Sequence, residues 1–389
     1  MSVPVPSLGV EEEYQLCDPA TGDLKPAVDT LLAAAPEELR DRLGYELLHT
    51  VLEANTGVAA DVDDAAMQVR RLRCAIMDLA ERQGVAIGIG GVHPFASWRD
   101  QEFVDTPGYQ WVGHQLQYLA RRNLSFGLHV HVGVEDEDAR IYVANQLRRW
   151  CAPLLALSAN SPFFEGADTG FRTIRMHVFG SFPRTGFAPR FRDWRHYLEV
   201  IDGLTRSGGI TVPRQAWWNV RAHLTYPTVE LRMLDMQIGL DRTRTFTALA
   251  QALVAGLVAS YEAGEPEWEL EPAFLGDGWF KAQRFGWDAQ IAHPITGQTT
   301  TLEEEIYALR EAARPWAAAL GTEEIALGGI DRILEEGPEC AWQRTVYAET
   351  GDLAELQRRI IERVWREARC GDLARGGRKA AERVSANVG

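Results

Sequence analysis

The sequence is short of several things, and each shortage removes a class of function. No stretch of its 389 residues approaches the roughly 18 uninterrupted apolar residues of a membrane span, so no membrane segment is expected. The opening MSVPVPSLGVEEEYQL has no basic start and no apolar core, so no signal peptide is expected. Cysteine is scarce: five, at 17, 74, 151, 340 and 370, with no CxxC among them. That spacing offers no zinc knuckle and fits free thiols in a reducing cytoplasm. Positive charge is also short. Lys and Arg total 40 against 55 Asp and Glu, a formal net charge of −15. A sequence-independent nucleic-acid binder needs the opposite balance. No internal repeat or long low-complexity linker is visible. The turn GIGGVHP (88–94) is no phosphate loop, since it has neither GxGxxG nor a Walker lysine.

What remains is the composition of a globular protein, 46% hydrophobic and 24% charged. Short strands and helices alternate over about 8–240. LGVEEEYQL (8–16), VAIGIGGVHPF (85–95) and YPTVELRMLD (226–235) read as strands. AAMQVRRLRCAIMDLAERQG (65–84) has Val69, Leu72, Ile76 and Leu79 at helical spacing, with Gly84 as its stop. YQWVGHQLQYLARRN (109–123) and DARIYVANQLRRWCAPLLALSAN (138–160) each read as one helix. From about 241 to 370 helices dominate, interrupted by a loop-like stretch, PEWELEPAFLGDGWFKAQRFGWDAQIAHPITGQ. A polar tail follows, 371–389. The pattern predicts an α+β fold and one catalytic domain over 1–389. It permits a homo-oligomer without specifying one.

Three strands carry charge where a half-buried strand carries polar neutrality. Side chains alternate with period two. In GVEEEY, Glu11 and Glu13 share a face while Glu12 points away. In SFGLHVHVGV, His129 and His131 share a face opposite Leu128, Val130 and Val132. In TVELRML, Glu230 and Arg232 oppose Val229, Leu231 and Met233. Taken singly, each has an ordinary explanation: a solvated edge, core histidines, a cross-strand ion pair. Taken together, they predict one sheet with an apolar underside and a floor of Glu, His and Arg. Burying carboxylates side by side costs several kcal/mol each unless cations compensate. Oxygen-rich ligation with one imidazole suits Mg²⁺ or Mn²⁺. GYELLHTVLEANTG adds Glu46 and Glu53, seven apart, which a helix or a long bent element returns to one side.

GVEEEY, LEANTG, GGVHPFASW, LARRNLSFGLHVHVGV, SANSPFFEGADTGFRTIR and WWNVRAHLTYPTVELRMLD occur in that order between about 8 and 235. Together they resemble the bacterial carboxylate–amine ligases of the second glutamate–cysteine ligase type. The resemblance implies a glutamine-synthetase-like catalytic fold, whose mainly antiparallel sheet forms a funnel packed on helices. It implies that ATP phosphorylates a substrate carboxylate and that an amine attacks the acyl phosphate. For the named activity these are the γ-carboxylate of L-glutamate and L-cysteine. By the same resemblance, Glu11, Glu13, Glu46, Glu53, His129 and Glu230 are metal ligands. Arg232 and Arg175 act on phosphate or substrate, Arg221 is a further contact, and His131, Asn160, His223 and His93 line the pocket. FFEG and FRTIR depart from the expected substrate wall, so the motifs leave the acid and the amine open.

Two other readings compete. HxH on a strand also opens the metal site of amidohydrolase barrels. That fold needs a series of later His, Lys and Asp ligands and a βα repeat, which are missing. The other is a catalytically weak relative that binds a metabolite without turnover.

Overall fold

The computed structural model describes residues 5–385, with side chains as far as Arg369. Its centre is a seven-stranded sheet built from β1 (Leu8–Cys17), β2 (Leu43–Tyr45), β3 (Val51–Asn55), β4 (Ala86–Gly88) and β5 (Gly127–Gly133), then, after a small hairpin, two further strands. The hairpin is β6 (Phe163–Phe164) with β7 (Ala167–Asp168), and the two remaining strands are β8 (Val220–Ala222) and β9 (Thr228–Asp235). A second hairpin, β10 (Gln290–Ala292) with β11 (Thr299–Thr301), lies outside the sheet. The order is β2-β3-β1-β5-β9-β8, with β4 added beside β1, and each pairing is antiparallel.

The alternation predicted for β1 is present. Leu8, Val10, Glu12, Tyr14 and Leu16 are all buried on the side that packs on helices, and Glu11 and Glu13 face the other way. Around Glu12 the underside is apolar: Leu128, Val130 and Val132 from β5 join Val229, Leu231 and Met233 from β9. Helix Leu240–Glu262 packs beneath β5 and β1, and helices Val62–Arg82, Glu137–Leu147, Leu302–Ala319 and Glu323–Glu336 pack around it. This helix is buried on nearly all sides because it is the central layer between sheet and outer helices.

One polar group is sunk into this apolar layer. Glu12 meets Arg73, which comes up from helix Val62–Arg82 and is 1% exposed. Arg73 Nε donates to Glu12 Oε2 at 2.9 Å, and the guanidinium also donates to the carbonyls of Ile238 (2.7 Å) and Gln237 (2.8 Å). The Tyr14 hydroxyl donates to the same carboxylate. The ion pair thus bolts together β1, a helix and the exit of β9.

Several expected elements are interrupted, each for a local reason. The helix predicted over 109–123 is two, Pro107–Leu116 and Tyr118–Arg122, broken where Gln117 adopts φ 48°. The helix predicted over 138–160 is likewise two, Glu137–Leu147 and Cys151–Ser158, joined by a 3₁₀ turn. Pro153 explains this: it has no N–H to give and its ring excludes the carbonyl four residues back. The loop-like stretch contains a helix, Pro272–Phe285, in which Pro272 occupies the first turn and the Glu271 side chain caps Ala273 N. Proline is at home there because its missing donor has no intrahelical partner anyway. Glu46 and Glu53 lie on no helix; a strand, a turn and a second strand hold them. The expected tail 371–389 has its backbone described only to Ser385, within helix Leu353–Ser385, and its side chains lie outside the described residues. Among the described residues Cys17, Cys151 and Cys340 carry buried free thiols, and the side chain of Cys370 lies outside the described residues.

Replacing Arg73 with leucine strands the Glu12 carboxylate in the core. Loss of one partner of a buried pair costs about 3–5 kcal/mol, so the expected result is a clear drop in unfolding midpoint. Glu12→Gln with Arg73→Leu together is expected to recover part of it; a double variant no more stable than the single one would disprove this anchor.

Candidate active site

Strand register assembles the floor. Glu11 pairs with Asn55 on one side and His129 on the other, Glu13 pairs with Glu53, and His131 pairs with Glu230, which pairs with Arg221. A β-bulge between Leu128 and Val130 sets Arg232 and Met233 together against His129. Glu46 follows β2 and completes a trio with Glu13 and Glu53, one oxygen from each lying within 4.8 Å of the others. A second trio with the same closeness is Glu11, His131 and Glu230.

The carboxylates are compensated unequally. Glu230 is fully buried, and Arg221 Nε and a terminal nitrogen lie 2.7 and 2.6 Å from its Oε2, with Arg232 on Oε1. Burial pushes its pKa up, but the two arginines outweigh it and hold it far below the usual carboxylate range. Burial also works against Glu11, and the imidazoles prevail: His129 Nδ1 and His131 Nε2 each lie 3.0 Å from one of its oxygens. In the Glu13–Glu46–Glu53 trio, partners do not outweigh burial at Glu46 and Glu53. Glu46 rises to about 7, through burial first and Glu13 next. Glu53 rises well above its ordinary value through burial, then Glu11 and Glu46, against one hydrogen bond from Asn55 at 2.8 Å.

Arg175 comes to the floor from helix Arg175–Phe179, 3% exposed. It donates to the carbonyls of Leu234 and Arg232 at 3.2 Å, and its Nε has no protein partner among the described residues. A side chain at Gly127 would overlap this guanidinium and His129 Nε2, so the glycine in SFGLHVH is a steric requirement.

Not all sequence-predicted residues arrive here. His93 is buried in a turn, its Nδ1 accepting from Ala96 N at 3.0 Å and its Nε2 3.0 Å from Gly22 O. Asn160 is consumed in a buried network, bonded to Asp235 Oδ2, Met236 O and Gln343. Both are structural, and neither lines the floor. His223 sits at the edge: its ring is 5.7 Å from His131, but its Nδ1 accepts from Thr225 N and Tyr226 N and it stacks on Tyr226. Trp218 packs against Phe191 and Tyr197, and Trp217 against Phe182. Sequence reasoning separated the histidines, with His129 on the metal and His131 in a neighbouring pocket. Geometrically both flank Glu11, and the convergent trio contains His131, while His129 spans from Glu11 to Glu13 (3.8 Å).

Four residues went unnoticed. Asn55 and Asn219 are two residues from Glu53 and Arg221, so the period-two rule carried one step further finds both. Tyr109 lies on helix Pro107–Leu116, where burial and then Glu46 and Glu53 raise its pKa. Arg214 faces it, and its carbonyl accepts from Arg221 at 2.9 Å. No spacing rule links these two segments to the sheet.

Comparison with known proteins decides the lineage. The model of glutamate-cysteine ligase family 2 matches residues 7–365. The chain belongs to this family. A relative from Solibacter usitatus is 35% identical over 92% of this chain and 92% of its own. A Haloferax volcanii protein named glutamate–cysteine ligase is 35% identical, over 89% of this chain and 93% of its own. Among solved structures, the Francisella tularensis glutamate–cysteine ligase in complex with AMP superposes with a TM-score of 0.69 at 11% identity, covering 98% of this chain and 93% of that one. The fold is therefore glutamine-synthetase-like, as the motifs implied.

The donor set fits a divalent cation, since six carboxylate or imidazole groups converge in two trios and one trio carries no internal counter-charge. A carboxyl whose pKa rises on folding favours the folded state below its folded pKa and loses that contribution as pH rises through it. For Glu46 that loss begins at the ordinary carboxylate pKa and is complete by about pH 7. A cation displaces those protons and matters most where they are gone. Mg²⁺ or Mn²⁺ is expected to raise the melting temperature more at pH 8 than at pH 6; an increment equal at both would remove the carboxylate trio from the binding set.

Proposed function

We propose that this protein is an ATP-dependent carboxylate–amine ligase that forms an amide through an acyl phosphate. The γ-carboxylate of L-glutamate is phosphorylated by ATP with release of ADP. The nitrogen of L-cysteine or another amine then attacks the acyl carbon, and phosphate leaves. The observation that carries this reading is one floor holding two carboxylate-rich trios beside two buried arginines, Arg175 and Arg221, and the partly buried Arg232. Both reactants are anionic, so the reaction is opposed by charge repulsion, and such a floor relieves it.

Each residue has a place in that task. Glu13, Glu46 and Glu53 would hold one divalent cation, and Glu11, Glu230 and His131 would hold a second, with His129 beside Glu11 and Glu13. Such cations, when bound, neutralise phosphate charge and act as Lewis acids. Arg232 and Arg221 are held rigid by Glu230, so their positive charge is placed before substrate arrives. Arg175 lies beneath with its Nε uncommitted. Tyr109 and Arg214 approach the floor from outside the sheet and help to keep water from the acyl phosphate. We read 1–389 as one catalytic unit, since helix Leu240–Glu262 joins the sheet to the helical part. Among the described residues no helix is long and apolar enough to cross a membrane. ATP use and free thiols fit a cytoplasmic setting.

Phosphate release from ATP across a panel of amino acids, with and without Mg²⁺, tests the reading. Release is expected only with an acid, an amine and the cation, and Glu53→Ala is expected to lower kcat by about 100-fold or more. No amine-dependent release across a broad panel would end the ligase assignment. His129→Ala and His131→Ala are both expected to raise the Mg²⁺ concentration needed for half-maximal rate; indifference of His131→Ala returns the imidazole ligand to His129 alone.

A further inference from the structure

Asn219 immediately precedes β8 and is 1% exposed, yet neither its Oδ1 nor its Nδ2 meets a protein partner among the described residues. Its backbone is fully engaged. Asn219 N donates to Gly186 O at 2.8 Å, and its carbonyl accepts from Arg232 N at 2.9 Å. That second bond extends the β8–β9 ladder by one step, because Arg221 already pairs with Glu230 and Val220 with Leu231. Asn219 therefore stands opposite Arg232. Alternation puts its side chain on the face of Arg221, away from buried Val220. Two further donors beside it are unpaired, Arg232 Nε and Arg175 Nε, and Arg175 reaches the Arg232 carbonyl at 3.2 Å.

A buried amide with both ends unpaired is unfavourable, and native chains keep such groups rarely. Here the chain sets arginine donors alongside and still leaves the amide oxygen free. A phosphate or a simple carboxylate only accepts, so it satisfies the amide nitrogen and leaves the oxygen alone. A ligand carrying a cationic donor next to an anionic acceptor satisfies both ends. An amide turned end for end meets the same two ligand groups with its oxygen and nitrogen exchanged.

We propose that Asn219 is a specificity residue of this site that reads the zwitterionic end of an α-amino-acid substrate. The amide oxygen accepts from the α-ammonium. The amide nitrogen donates to the α-carboxylate, which Arg175 and Arg232 also attract. This deepens the ligase reading and rests on it.

Asn219→Leu removes both polar ends at nearly constant volume. The folded enzyme is expected to melt at the same temperature or higher, because an unpaired buried amide is gone. KM for L-glutamate is expected to rise about tenfold or more while KM for ATP stays within about twofold. Wild type is expected to favour glutamate over glutarate, which lacks the ammonium, and the variant to lose about tenfold of that preference. Asn219→Asp keeps an acceptor for the ammonium and is expected to retain more of the preference than leucine does. A lower melting temperature with unchanged glutamate-to-glutarate selectivity would make Asn219 a structural amide and overturn the proposal. The thermal upshift caused by glutamate without ATP reads the contact separately from turnover. An upshift equal in wild type and variant, or absent from wild type, defeats the proposal; absent phosphate release by wild type defeats the ligase reading.

Discussion

The site depends on which way β1 faces, and one buried ion pair decides that. Three consecutive glutamates could present two carboxylates to either side of the sheet. Arg73 takes Glu12 into the helical layer, where the Tyr14 hydroxyl and helix Val62–Arg82 surround it. A slip of one residue would put Glu11 and Glu13 into apolar packing and Glu12 alone on the floor. Such a slip buries two charges without a partner and is strongly opposed. The lock below the sheet therefore fixes the chemistry above it, and it reaches β9 as well through the carbonyls of Gln237 and Ile238.

Given that register, the floor concentrates negative charge and relieves it differently along its width. On the β9 side the chain's own groups do the work: Arg221 and Arg232 hold Glu230 ionised, and hydrogen-bonded imidazoles hold Glu11 ionised. On the β3 side the chain's own groups do not outweigh burial and mutual repulsion, and Glu46 and Glu53 rise instead. The gradient has a functional sense. Where the chain supplies its own positive charge, an anionic substrate group finds fixed donors. Where it does not, the carboxylates are left for an external cation. Gly127 sits between the halves and lets Arg175 and His129 approach each other.

Much of this is legible in the sequence, for a physical reason. Strand alternation acts over two residues, so Glu11 with Glu13, His129 with His131 and Glu230 with Arg232 announce a polar face wherever the strands pair. The order of motifs supplied the family. What escaped reading depends on contacts between distant segments. Nothing local says that His93 will staple a turn to Gly22, or that Asn160 will be spent on Asp235 and Gln343. Both are polar residues in motifs that carry the family resemblance, and only packing distinguishes a wall from a scaffold. The spacing of Glu46 and Glu53 allows a helix or a long bent element to bring them to one side; the turn between β2 and β3 is the bent element. Tyr109 and Arg214 come from segments that no periodicity connects to the floor.

Asn55 and Asn219 bring the argument to a sharper form. They occupy the two ends of one cross-strand row, beside Glu11 and beside Arg232. Asn55 gives its amide nitrogen to Glu53, so its oxygen alone is unpaired; Asn219 gives nothing to the protein. A fold selected for stability alone would fill either position with a small apolar side chain, as it does at Ala54 and Val220 on the opposite face. Keeping an amide at each end leaves the empty enzyme less stable than the same sheet allows, a trade common where binding groups must be prepared in advance. The row thus runs from a cation-seeking end to a zwitterion-seeking end, with the reacting carboxylate and phosphate expected between them.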